Sequence, residues 1–136
     1  MNHYIVMIIF NILAGLLSTM NVYVDKLSDI SFSLNDVYMI GLMTSYMILF
    51  MSLYYKDFHT MFISFVFVGI FLYCIRSQIF INEKQYLKGM IPHHSMAIHM
   101  SKRLFEKNKQ NSIKELLVNI IQTQEKEIDY MKQRIY

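Results

Sequence analysis

The residues of this chain best suited to chemistry are two adjacent histidines, His93 and His94, which follow a proline and lie among methionines. Met90 precedes the pair by three and four residues, a spacing that brings its sulfur near both imidazoles if the segment is helical. Imidazole nitrogen and thioether sulfur together suit copper, whereas calcium and magnesium prefer oxygen ligands. The donor types therefore predict copper binding, most simply as Cu(I), with Met96 and Met100 as further candidate donors.

The arrangement of the histidine pair leaves a second interpretation open. Adjacent side chains point about 100° apart on a regular helix, so the two imidazoles face one ion only if the helix is distorted or another helix approaches. Pro92 predicts such a distortion, because a proline inside a helix removes a backbone donor. Alternatively, Pro92 is the first residue of the helix, and the histidines and methionines are packing residues that bind no metal.

The segment with the histidines is predicted to be the first helix of a hairpin at residues 82–136. Apolar residues recur at steps of three and four on both sides of a break at Lys107 to Asn111. In an antiparallel pair, Met131 near the end of the second helix faces the start of the first helix. Glu127 is expected either to ligate a metal or to accept a bond from an imidazole, and Gln124 lies one turn before it.

Three long apolar runs precede the hairpin: Met1 to Val24, Val37 to Tyr55 and Phe58 to Ile75. None contains Asp, Glu, Lys or Arg, and each is close to the roughly 20 apolar residues that cross a bilayer core. The first run has neither the basic residues nor the cleavage site of a secretory signal, so a membrane anchor is the stronger interpretation. The sequence therefore predicts an all-α protein, with three transmembrane helices at residues 1–81 and an amphipathic helical hairpin at residues 82–136.

The second apolar run has a methionine at every fourth position. Met39, Met43, Met47 and Met51 lie along one predicted membrane helix, and a ladder of thioethers is what a Cu(I) path or buffer in a bilayer would use. Steps of four residues drift around a helix by about 40° each, so the four sulfurs do not form one straight stripe. Helix packing by a flexible apolar residue is the alternative interpretation.

Charge and cysteine content narrow the class of function. The formal net charge of +3 arises after Ile75, where basic residues outnumber acidic ones, but the mixed charges without interleaved aromatic residues argue against nucleic-acid binding. The single cysteine, Cys74, excludes an intrachain disulfide. No Glu-x-x-His motif occurs, which argues against a ferritin-like di-iron oxidase. We predict no catalytic or cofactor-binding residues and expect that the protein is not an enzyme.

Three segments of the chain resemble one protein family. They are residues 76–78, residues 85–98 with the run Met-Ile-Pro-His-His, and residues 121–131 with the pattern Gln-x-x-Glu-Ile-x-x-Met. These segments are similar to the Met-Ile-Pro-His-His family, long catalogued as a domain of unknown function, which includes CopM-like copper-binding proteins with ferritin-like helices. Membrane-anchored forms of that family have three hydrophobic segments before the motif, as this chain does.

The resemblance implies a ferritin-like helical hairpin that binds copper for copper tolerance, storage or transfer. Basic residues at the ends of the membrane helices favour a cytoplasmic hairpin, whereas the resemblance favours an extracytoplasmic one, and we adopt the second expectation. The implied metal site consists of Met90, His93, His94 and Met131, with Gln124 and Glu127 as supporting positions.

Self-association is expected from the size of the hairpin. About 55 residues in two helices bury too little apolar surface to be stable alone, since even ~60-residue domains are marginal. We therefore expect a homo-oligomer, a dimer or larger, through a face that includes Leu117 and Ile120, or docking on the membrane domain. The competing function is a structural or assembly membrane protein whose hairpin oligomerises without metal. The expected partners are the lipid bilayer, further copies of the chain and a copper-delivery partner that the sequence does not identify.

Overall fold

The computed structural model describes residues 3–107 and 112–135, and every regular element in these two ranges is helical. This confirms the all-α prediction for the described residues, whereas the turn expected at Lys107 to Asn111 lies outside them except for its first residue. Two short 3-10 turns, Met20–Tyr23 and Leu27–Asp29, precede the second α-helix. The α-helices of the described ranges are α1 (His3–Leu17), α2 (Leu34–Tyr54), α3 (Phe58–Ser77), α4 (Glu83–Lys107) and α5 (Lys114–Ile135).

In the part of the chain that the structure describes, three helical segments are long and apolar enough to cross a membrane: His3–Tyr23, Leu34–Tyr54 and Phe58–Ser77. They correspond to the three apolar runs of the sequence. Their large apolar side chains are mostly exposed on the protein surface, which is the arrangement that lipid contact requires. This confirms the prediction of three helical segments whose length and composition suit a membrane crossing.

The first of these segments is not one continuous α-helix. α1 ends at Leu17, and the chain then forms the 3-10 turn at Met20–Tyr23. With 15 residues, α1 alone is about 22 Å long at a rise of roughly 1.5 Å per residue. The last part of the first apolar run thus lies outside α1.

One compact unit consists of residues 3–19 and residues 34–81. α2 packs against both α1 and α3 in this unit. α2 and α3 approach each other closely at Gly41, where the Phe71 ring occupies the space that a Cβ atom would fill, with Cε1 2.5 Å from that position. A glycine is therefore required there for α2 and α3 to approach each other.

The other compact unit consists of Met20–Ser33, which we call the strap, and the hairpin of α4 and α5. Arg134 near the end of α5 pairs with Glu83 at the start of α4, and Lys114 at the start of α5 lies over the ring of Phe105. These contacts make the two helices antiparallel. Their facing sides form an apolar core, whose buried members are Leu87, Ile91, Ile98, Ile128, Met131 and Ile135.

Pro92 lies inside α4. The alternative that a helix begins at Pro92 is wrong, because α4 already begins at Glu83. A proline in this position cannot donate a hydrogen bond to the carbonyl of Lys88, which weakens the helical ladder directly before the two histidines.

The strap folds with the hairpin, although the sequence analysis placed it in the membrane domain of residues 1–81. Asp29 is only 2 % exposed, and it accepts hydrogen bonds from Ser95 of α4 and Lys132 of α5. A buried carboxylate requires such partners. A boundary near Ile81 therefore omits a segment whose charged group is buried with the hairpin.

Candidate metal centre

α4 presents the two adjacent histidines to different neighbours. The His93 ring contacts Met20 of the strap, whereas the His94 ring contacts Glu127 of α5. The two ring centroids are 6.1 Å apart, with the ring planes at 61°. This separation follows from the roughly 100° between consecutive side chains of a helix.

His94 is the more buried of the two histidines, with 14 % of its side chain exposed, and its Nδ1 lies 2.9 Å from Glu127 Oε2. The Glu127 carboxylate is the group that this buried nitrogen faces, and no other hydrogen-bond partner lies near it among the described residues. Burial lowers the pKa of His94 below its ordinary value; the Glu127 carboxylate opposes this effect and His93 adds to it. His94 is therefore neutral at pH 7, which is the form of histidine that binds metal ions.

His93 is exposed, and its Nδ1 lies 3.4 Å from the sulfur of Met20. A neutral imidazole in one tautomer donates a weak hydrogen bond to the thioether, and in the other it directs a lone pair toward it. In the second tautomer the contact brings together two atoms that are both ligands for soft metal ions.

Two groups of polar contacts fix the strap to the hairpin. Asp29 accepts hydrogen bonds from Ser95 Oγ at 2.6 Å and from Lys132 Nζ at 2.5 Å. Asp25 accepts one from Lys102 Nζ at 2.7 Å, and its backbone N–H donates to Ser95 Oγ at 2.8 Å. Burial alone would raise the pKa of Asp29, but the hydrogen bonds from Lys132 and Ser95 outweigh it and hold the pKa below its ordinary value. Asp29 is therefore ionised at neutral pH.

The other methionines and the glutamine predicted for the site lie in varied environments. Met131 is a buried member of the apolar core, and Met90 packs against that core. Gln124 and Met96 are half-buried, and Met100 is exposed. Of the companions expected for the histidines, Glu127 is therefore brought to His94, whereas Met90 and Met131 contribute to hydrophobic packing.

The methionine ladder of α2 lies mainly at the surface of its unit. Met39, Met43 and Met47 are 56 %, 40 % and 43 % exposed, and Met51 is half-buried. A path for an ion through the protein interior would enclose the sulfurs, and three of these side chains instead face outward.

No three His, Cys, Asp or Glu side chains within residues 3–107 and 112–135 are arranged to hold a metal ion. His93, His94 and Glu127 therefore do not form a metal site by themselves. A soft ion bound at this place would require a sulfur ligand, and Met20 supplies a thioether beside His93.

Met20 is a candidate site residue that the sequence analysis missed. It lies in the first apolar run, where a methionine has no local feature that separates it from other apolar residues. Its partner His93 is 73 positions away in the chain. Helical periodicity relates only residues within one helix, so no spacing rule connects the two.

Comparison with known proteins relates the chain to proteins whose descriptions state no function. Residues 78–135 match a family described as a domain of unknown function, DUF305. The chain is 43 % identical over 133 residues to an uncharacterised protein of Acanthamoeba polyphaga mimivirus, in a match that covers 93 % of this chain and 87 % of the viral protein. No solved structure matches the chain. Copper binding therefore remains a prediction at this point.

Proposed function

The chain belongs to the family of the mimiviral protein and carries a DUF305 domain at residues 78–135, and we propose that it is a membrane-anchored protein that binds copper as Cu(I). Its role in this proposal is copper tolerance, storage or transfer without catalysis, so that copper is its cargo. The hairpin lies outside the cytoplasm, as the resemblance noted in the sequence implies.

The observation that carries the proposal is the contact between Met20 and His93. Their sulfur and nitrogen atoms are 3.4 Å apart. A sulfur and a nitrogen that share one tetrahedral ion are about 3.5 Å apart when the two bonds are roughly 2.3 and 2.0 Å long, the values known from zinc sites. Thioether sulfur favours Cu(I). An ion between these atoms would replace one weak contact and no strong hydrogen bond.

His94 provides the second line of support. The buried Nδ1 of His94 has the Glu127 carboxylate 2.9 Å away, and no other hydrogen-bond partner among the described residues. A nitrogen in this state, beside the Glu127 carboxylate, fits a bound cation. Glu127 would either join the ion or orient the imidazole. The residues at hand thus offer copper one thioether and one imidazole at ligand distance from each other, Met20 and His93, with the pair of His94 and Glu127 beside them.

Competition between the detergent-purified protein and a coloured Cu(I) chelator tests the proposal. We expect the wild type to retain copper and the paired substitution His93→Ala with His94→Ala to abolish retention. Met20→Leu should weaken binding by roughly tenfold or more, because loss of a ligand weakens a site at least as much as loss of an outer contact. Zn²⁺ should bind more weakly than Cu(I), since a thioether is not among the usual zinc ligands.

His99→Ala and Met100→Leu are the matched controls, because both residues lie on α4 and neither belongs to the proposed ligand set. Both variants should retain copper as the wild type does, and circular dichroism should show intact helices throughout. Full copper stoichiometry in the double histidine variant would place the site elsewhere, for example on the ladder of α2. Failure of the wild type to compete with the chelator would contradict the proposal.

A structural or assembly protein is the second candidate function. Apolar side chains remain exposed on α5 at Leu116 and Val118, and directly before it at Ile113, and exposed apolar residues of this kind favour association between helices. This candidate predicts no copper retention by the wild type. It also predicts that His93→Ala with His94→Ala leaves the assembled state unchanged.

A further inference from the structure

We propose that Asp29 is a positioning residue for the copper site, because its buried carboxylate holds the strap where Met20 reaches His93. The inference rests on the proposed function and extends it to a segment, Met20–Ser33, that lies outside the matched DUF305 residues. In this arrangement the hairpin contributes the imidazoles and the strap contributes the sulfur.

The first argument is the burial of the Asp29 carboxylate between both helices of the hairpin. The residue is 2 % exposed, and its two oxygens take Ser95 Oγ of α4 and Lys132 Nζ of α5 as separate partners. A buried charge without partners is strongly unfavourable. The strap therefore cannot slide along the hairpin without leaving this carboxylate unpaired.

The second argument is the register of the anchors along α4. Ser95 is fully buried and lies two residues after His93, and it binds both the Asp29 carboxylate and the backbone N–H of Asp25. Lys102, further along the same helix, holds the Asp25 carboxylate at 2.7 Å. Because one rigid helix carries the anchors and the imidazole, the anchors determine how far the strap lies from His93.

The third argument is the closure of the strap at the end that carries Met20. Asn21 donates from Nδ2 to the Ser31 carbonyl and accepts the Ser31 N–H at Oδ1, both at 2.9 Å. These bonds tie the start of the strap to the part that follows Asp29. A Cβ atom added at Gly89 would lie 3.0 Å from Ser33 Oγ, so the strap also approaches α4 one turn before His93.

A double-mutant cycle with Asp29→Asn and Met20→Leu tests the inference through Cu(I) affinity. Asparagine keeps the size of the side chain and removes its charge. Asp29→Asn should lower the affinity by about 10–100-fold, the range observed when a contact behind a metal ligand is lost. Since Asp29 acts through Met20, adding Asp29→Asn to Met20→Leu should lower the affinity no further. A merely structural role would weaken binding in both backgrounds.

Asp129→Asn is the matched control for the charge change. Asp129 is exposed on α5, three residues before Lys132, and its substitution should leave copper affinity unchanged. If circular dichroism shows that Asp29→Asn does not fold, Asp25→Asn repeats the cycle at the half-buried second anchor. The same pattern is expected there, with a smaller loss because the backbone N–H of Asp25 still binds Ser95.

Cross-linking provides a measurement that needs no copper. In a Cys74→Ser background, Met20→Cys and His93→Cys place two thiols at the contact, and a short bifunctional thiol reagent should join them. Adding Asp29→Asn should lower the yield several-fold, because the strap is no longer held in register. Adding Asp129→Asn should leave the yield unchanged.

The outcomes separate this inference from the proposed function. A wild type that binds no Cu(I) overturns both. If Met20→Leu weakens copper binding but Asp29→Asn does not, the inference alone is overturned. The same holds if Asp29→Asn leaves the cross-linking yield unchanged. Equal losses from Asp29→Asn with and without Met20→Leu also overturn it, because they would show that Asp29 affects the site by another route than Met20.

Discussion

At the scale of single residues, Asp29 shows how a buried charge is maintained in this protein. Removing a carboxylate from water has an effective penalty of several kcal/mol. Three donors offset it: Lys132 and Ser95, with Ser28 Oγ at a longer distance of 3.3 Å from Oδ1. The Lys132 side chain remains 28 % exposed, so the lysine keeps part of its own hydration. Pairing therefore costs the lysine little, whereas any conformation that keeps Asp29 buried without these donors is strongly unfavourable.

The lowered pKa of Asp29 predicts a loss of stability in acid. A carboxyl group with a pKa below its ordinary value of 3.8 stabilises the fold above that pH and loses this contribution as the pH falls through the folded-state pKa. The unfolding temperature of the wild type, measured by circular dichroism, should therefore fall more steeply below pH 4 than that of Asp29→Asn. Parallel decline of the two proteins would contradict the prediction.

Residue types made part of the candidate site visible in the sequence. His93 and His94 are adjacent and have methionines nearby, and Glu127 follows from helical spacing on the second helix. Met20 and Asp29 were not visible, because their partners lie on distant helices. The sequence does not distinguish a buried aspartate such as Asp29 from an exposed one, because burial depends on contacts between residues far apart in the chain.

At the scale of helices, the contact between α2 and α3 depends on one small residue. The Phe71 ring lies over Gly41, with Cε1 2.5 Å and Cε2 2.9 Å from the position of an added Cβ. An aromatic ring is rigid, so it cannot yield by bending as a long flexible side chain would. Gly69 of α3, by contrast, has open space at its added Cβ, because among the described residues only its chain neighbours and its own helix backbone come within 4 Å.

Gly41→Ala and Gly69→Ala should therefore have different effects on stability. Gly41→Ala forces the Phe71 ring to move, and overpacking of this kind costs about 1–3 kcal/mol. Gly69→Ala adds a methyl group in open space and should be neutral or slightly stabilising, because alanine favours helix more than glycine does. Thermal unfolding in detergent measures the stability of both variants relative to the wild type. An equal response would show that the close approach at Gly41 does not determine the packing of α2 on α3.

The positions of the helices could be predicted from the sequence more accurately than the residues at which they end. The apolar runs located the three helical segments that are long and apolar enough to cross a membrane, because length and composition are visible in the sequence. The change from α1 to a 3-10 turn at Met20–Tyr23 occurs inside one apolar run, where hydropathy does not change. Periodicity favoured a helix that continues through Pro92 without excluding a start there, and the structure shows that α4 continues through it.

At the scale of the whole molecule, the chain builds its two units from interleaved segments. The strap lies between α1 and α2 in sequence, yet it belongs to the unit of α4 and α5. The hairpin therefore does not rely on its two helices alone to bury apolar and charged groups. Because the strap adds burial to the unit, the small size of the hairpin no longer requires that it associate with another copy to be stable. Association must therefore be tested separately from folding.

Leu116 and Leu117 of α5 allow association to be tested apart from folding. Leu116 is 54 % exposed, whereas Leu117 is 5 % exposed and thus packs within its own chain. The sequence analysis had assigned Leu117 to the associating face. Leu117→Asp should instead unfold the hairpin or destabilise it by at least about 2 kcal/mol, because it buries an unpaired charge.

Leu116→Asp should convert a homo-oligomer into a monomer and leave the helices intact. The charge would enter an apolar contact between copies, where no partner is available to it, but in a single copy the side chain stays in water. Light scattering with the detergent contribution subtracted gives the mass of wild type and variant, and circular dichroism verifies that both are folded. Val118→Asp, at a position 36 % exposed, distinguishes a narrow contact around Leu116 from a broader one. A monomeric wild type would contradict the prediction and would mean that the strap supplies enough burial for the hairpin to be stable without a second copy.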